Sequence, residues 1–150
     1  MKRLFQGFQC LIAITIFAAV FACNPVDTIN AKPEAEKLVD RYFDLFKSEK
    51  YDEIVGLYDE RFWSSLPRET WLRILRNVRR KLGSLENCNL GSWNVTNHVG
   101  TESGTHVGLE YTCKHEKYPT EVSFRIFKPA LGGDAGIHSQ NYNSIGFLLE

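Results

Sequence analysis

The spacing of apolar residues changes once along this chain, near Ser84. Ahead of it apolar positions recur every three or four residues; beyond it they alternate. Ala35, Leu38, Val39, Tyr42, Phe43 and Phe46 fall on one side of a helical wheel, with Lys37, Asp40, Asp44 and Lys47 opposite. Pro33 suits a first helical turn and Glu34 and Glu36 suit its positive end, which predicts an amphipathic helix from Pro33 to about Ser48. A short helix is predicted over Asp52–Tyr58, and Phe62 and Trp63 follow in a turn. A third helix is predicted over Pro67–Leu82, with Trp71, Leu72, Leu75, Val78 and Leu82 inward and Gly83 as its stop.

Alternation then marks strands at Leu85–Val95, Thr105–His115 and Glu121–Lys128, with a last one around Gly136–Asn143. Helices first and a meander after them predict an α+β domain: three N-terminal helices on an antiparallel sheet of about four strands. Paired positions in a hairpin sum to a constant, and Cys88 with Cys113 and Leu90 with Tyr111 share one sum. Trp93 with Leu109 and Val95 with Val107 share a sum larger by one, so a one-residue bulge is predicted at Gly91-Ser92. All eight side chains then lie on one face. Cys88 and Cys113 become direct neighbours, either as a disulfide or as two buried thiols.

The 150 residues, 43% hydrophobic and 24% charged, suit one globular domain. Met1-Lys2-Arg3 precedes an apolar run, Cys10–Ala22, broken by Thr15 alone. Thirteen helical residues rise about 20 Å, short of the roughly 30 Å hydrocarbon core, so a cleaved signal peptide over residues 1–22 is expected rather than a retained span. Val20-Phe21-Ala22-Cys23 resembles the lipobox of bacterial lipoproteins, which implies lipidation of Cys23 and a membrane anchor. The same Val-x-Ala also serves an ordinary signal peptidase, leaving Cys23 a free thiol on a secreted protein. Residues 23–32 read as a tether and 33–150 as the domain, in a bacterial cell envelope on the periplasmic side. Without Lys2 and Arg3 the chain is slightly acidic, so no nucleic-acid partner is expected.

Tyr51-Asp52, Phe62-Trp63, Trp71-Leu72 and Arg80-Lys81-Leu82-Gly83, in this order of elements, resemble the nuclear-transport-factor-2-like superfamily, also called cystatin-like or ketosteroid-isomerase-like. The likeness is to its small bacterial secreted domains. It implies a curved sheet closing with the helices into a cone, often with a pocket and frequently a dimer. Enzymes on this fold place a carboxylate or a His–Asp pair inside the cone. Here the expected inward face, Val107, Leu109, Tyr111, Cys113, Val122, Phe124 and Ile126, holds no carboxylate. Residues of the last strand, His138, Gln140 or Tyr142, are the ones that could change this.

Two functions follow. The first is a non-catalytic domain acting through protein interaction, with a partner or a second copy, by the open sheet face or a basic helix face of Arg73, Arg76, Arg80 and Lys81. That face also reads as a merely solvated one. The second is a small-molecule module, binding or less favourably catalytic, with a pocket lined by Trp63, Trp93, Tyr111 and Phe124. No cofactor is expected. His106 and His115 fall on opposite faces of one strand and no Cys-x-x-Cys exists, so no metal is expected either.

Overall fold

The computed structural model describes residues 28–100 and 103–149, so Cys23 and the leader ahead of it lie outside the described residues. The N-terminal half holds α1 (Thr28–Lys47), α2 (Tyr51–Val55), a 3-10 turn (Glu60–Ser64) and α3 (Arg68–Leu82). The rest is β1 (Leu85–His98), β2 (Gly104–His115), β3 (Thr120–Pro129), β4 (Gly136–Asn143) and a 3-10 turn (Ile145–Phe147). The fold is α+β, helices N-terminal to a four-stranded antiparallel sheet in the order β1-β2-β3-β4. No helix of the described residues is long and apolar enough to cross a membrane.

Two helix boundaries differ from the expectation. α1 starts at Thr28, not Pro33, and takes in half of the predicted tether. Pro33 thus stands inside the helix, one turn in, and Ala31 ahead of it is buried against the core. α2 stops at Val55 because the chain leaves the helical path to reach β4. Ile137 donates its N–H to the Leu57 carbonyl at 2.9 Å and accepts from the Asp59 N–H at 3.0 Å, a short parallel bridge.

Cys88 faces Cys113, Leu90 faces Tyr111, Trp93 faces Leu109 and Val95 faces Val107, with the register stepping between Leu90 and Ser92. Cys88 and Cys113 are joined as a disulfide that spans 25 residues of chain. The seven expected inward residues of β2 and β3 are all buried. α1 lies on them: Phe43 meets Tyr111 edge-on at 5.1 Å, and Tyr42 meets Phe124 at 5.1 Å. Trp71, Leu75, Val78 and Leu82 are the buried residues of α3.

Gly83 ends α3 at φ +82°, a conformation that favours glycine, with its N–H on the Arg79 carbonyl at 2.9 Å. A Cβ there would stand 2.7 Å from Glu116 Cβ. The Gly83 carbonyl meets His115 Nδ1 at 3.2 Å, which ties the helix end to the end of β2.

Candidate functional site

The aromatic stripe of α1, the turn after α2, the start of α3 and the last strand converge on one group of polar atoms. Tyr42, Tyr58 and Trp71 are buried; Gln140 and Tyr142 reach in from β4 and are half-buried. The hydroxyls of Tyr42 and Tyr142 share a hydrogen bond, and the Tyr58 hydroxyl donates to Gln140 Oε1. Burial pushes all three phenols well above their ordinary pKa of 10, so each is a neutral donor and not a base. Gln140 Nε2 is buried and lies toward the Tyr42 and Tyr142 hydroxyls, and the Trp71 indole N–H toward the Tyr58 hydroxyl, neither completing a bond among the described residues.

A groove of about 440 Å³ opens beside this cluster, between α3 and β4. Trp71, Ile74, Val78, Tyr142 and Phe147 give it apolar walls, and Gln140 lines it too. Asn77, Asn141, Arg80 and Lys81 contribute its polar atoms. No carboxylate or imidazole lines it. The arrangement can accept an apolar body and offer N–H donors to an acceptor on it, but it holds no group suited to take a proton at neutral pH.

The four residues expected to line one pocket do not line a common one. Tyr111 and Phe124 are core residues, with Phe43 filling the space between them and α1. Burial, with the Asp40 and Glu36 carboxylates adding to it, pushes the Tyr111 hydroxyl up to about 12. Trp63 sits elsewhere, 4.8 Å from the Phe62 ring and 5.3 Å from Tyr58. Trp93 keeps the predicted register but is 55% exposed, with the Lys32 ammonium over its ring at 5.3 Å. Its face agrees with the register, but what α1 lays over the ring is the Lys32 side chain, which leaves it open to solvent.

On the basic helix face Arg73, Arg76 and Arg80 are exposed and Lys81 is half-buried. Arg79 at the border pairs with Glu49 at 3.2 Å. Arg73 and Arg76 meet no carboxylate among the described residues. Lys81 donates to the Leu149 carbonyl at 2.8 Å, and Arg80 to Asn77 Oδ1 at 3.3 Å.

Sequence reasoning missed one group. His106 lies with His98 and His138 on the outer face of the sheet, ring centroids 4.8 and 5.6 Å away, beside the Phe127 ring. Burial holds His106 below its ordinary pKa of 6.5, and His98, His138, Arg125 and Arg61 add to the effect. His106 Nδ1 and His138 Nδ1 are buried and have no hydrogen-bond partner among the described residues. The signal was there for the first two, which flank one hairpin on the same face. His138 arrives through a register step in β4 that nothing in its local sequence announces. Among the described residues no group of three or more His, Cys, Asp or Glu is placed to hold a metal ion.

No family model matches this sequence, and no curated protein or solved structure matches it either.

Proposed function

We propose that the protein is an exported cell-envelope domain, lipid-anchored at Cys23, that acts by binding and not by catalysis. Its ligand site is the groove between α3 and β4, and the ligand is a small, largely apolar molecule carrying a hydrogen-bond acceptor. One observation carries this reading: an apolar-walled groove of about 440 Å³ opens between α3 and β4 with the polar side chains of Asn77, Arg80 and Lys81 at its margin, while the interior beneath the sheet is filled with aromatic rings. The superfamily likeness accords with such a site but adds no residue to it.

The test is native mass spectrometry of the full mature chain extracted from the membranes that carry it. A mass lost on denaturation and absent from Ile74→Trp, which fills the groove from a half-buried wall position, supports the reading. Bare protein in both forms sinks it. A second reading, docking of an acidic protein partner, is favoured by the exposed Arg73 and Arg76, which meet no carboxylate among the described residues. It predicts that Arg73→Glu with Arg76→Glu abolishes capture of that partner and leaves a groove ligand in place.

A further inference from the structure

We infer that the groove between α3 and β4 takes an amphiphile of one kind, a carboxylate head on an apolar body, as in a fatty acid. This deepens the reading of the groove as the ligand site and rests on it. The lining side chains are sorted along α3. Trp71, Ile74 and Val78 come first and wall the groove together with Tyr142 and Phe147. Arg80 and Lys81 follow in the last turn of the helix and line it too. The span from Trp71 to Lys81 is about 15 Å of helix rise. One end of the groove is therefore rings and aliphatic carbon, and the other carries two cations.

Charge identifies the head. Arg79 at the border pairs with Glu49, whereas Arg80 and Lys81 meet no carboxylate among the described residues. Arg80 donates to the neutral Asn77 Oδ1 at 3.3 Å, a long bond that a carboxylate replaces at a gain, and Lys81 to the Leu149 carbonyl. The negative end of the helix dipole lies here, but it amounts to about half a charge against three cations. No carboxylate lines the groove, so an anion entering it meets attraction alone. A depression of about 410 Å³ on the sheet is the reverse, lined by Glu110 and Glu121 with no cation, and the same ligand is repelled there. The forked Arg80 guanidinium can give a carboxylate two parallel bonds, and the Lys81 ammonium a third. A bilayer phospholipid brings two chains to one phosphate, more than a groove of about 440 Å³ holds, whereas a fatty acid brings one.

Titration of the full mature chain with laurate and with dodecanol, which share one tail, tests this. The chain carries Cys23→Ser, so that it has no acyl group of its own and needs no detergent. Binding is followed by NMR at the Trp71 indole N–H. Laurate is expected to bind about tenfold to a hundredfold tighter than dodecanol, the usual worth of hydrogen bonds to charged groups. That margin should narrow in raised salt and close in Arg80→Gln with Lys81→Gln. Equal affinity of the two probes, both lost in Ile74→Trp, overturns the anionic head and leaves the groove standing as an apolar site. A margin that survives in Arg80→Gln with Lys81→Gln overturns the head as well. If that double variant binds neither probe, the salt series in the parent decides, and a margin constant with salt overturns the role of the cations. Dodecyl phosphate binding tighter than laurate assigns the cations to a phosphate head and overturns the carboxylate. Shifts that persist in Ile74→Trp, or no shift with either probe, overturn the groove itself and this inference with it.

Discussion

The Arg61 guanidinium lies over the Phe127 ring, 4.0 Å from its centre, on the outward face of the sheet. That cover, with His106 and His138 at the ring's sides, leaves Phe127 4% exposed on a face that elsewhere meets water. Asp59 holds the arginine in place, accepting from its backbone N–H at 2.8 Å and its Nε at 2.9 Å.

Arg61→Ala is therefore expected to destabilise the fold by about 1–2 kcal/mol, since it removes the stacked cover as well as an ion pair. Arg61→Lys recovers little of this, because an ammonium cannot lie flat on a ring while donating two bonds to one carboxylate. Urea unfolding of the two variants checks the difference.

Stability is expected to fall as pH drops through about 6.5. His106 and His115 are both held below that ordinary value, chiefly by burial, so near pH 6.5 the unfolded chain binds protons that the folded chain refuses. Stability thus rises with pH across this window and levels off above it. The Arg61 cation holds Asp59 below its ordinary 3.8, so that carboxylate weakens the fold only at lower pH and leaves the window to the imidazoles. Unfolding midpoints from pH 5 to 8 for the parent and for His106→Asn are the measurement. A parent midpoint that is flat over this range would contradict the argument.

Tyr142→Phe is expected to cost about 1–2 kcal/mol, by leaving the buried Tyr42 hydroxyl without its partner. Tyr42→Phe in the same chain should cost less than the sum of the two single changes, since the pair then leaves together. A double-mutant cycle reads this directly; strict additivity would mean that the two hydroxyls do not interact.

Reducing the Cys88–Cys113 bond is expected to remove about 2–4 kcal/mol, the usual range for a loop of this length. Amide exchange should accelerate first in β1, which pairs with the rest of the sheet through β2.

Gly83→Ala is expected to destabilise by about 1–3 kcal/mol, from positive φ and from contact with Glu116 Cβ. Its second consequence is a loosened His115, whose ring bonds the Gly83 carbonyl, visible as a shift in the imidazole's NMR titration.

Much of the sheet could be read from the sequence because pairing is local arithmetic. The cysteine sum, the step at Gly91-Ser92 and the inward face of β2 and β3 required only alternation. What alternation cannot say is how far a helix extends over a strand, which is why Trp93 shares the predicted face with the core and yet is exposed. The tyrosine cluster was half legible. Tyr42 was on the apolar stripe of α1 and Gln140 and Tyr142 were named as residues that could alter the interior, but their partners lie about a hundred residues apart. Pro33 conceals the start of α1, because proline favours a first helical turn and so points to a helix that begins at its own position and not at Thr28.

The strand order has a consequence for how the chain reaches this state. Each strand pairs with its immediate neighbours in sequence, so the sheet can zip up in the order of its residues, with short loops to close at each step. The bridge from Leu57 and Asp59 to Ile137 is different: it joins the first half of the chain to its last strand. A chain that folds as it emerges from a pore would hold α1, α2 and α3 waiting on an unfinished sheet until β4 arrives. Completion of the tyrosine cluster and of the groove wall then coincides with the final step of folding, so a truncated or stalled chain would carry neither.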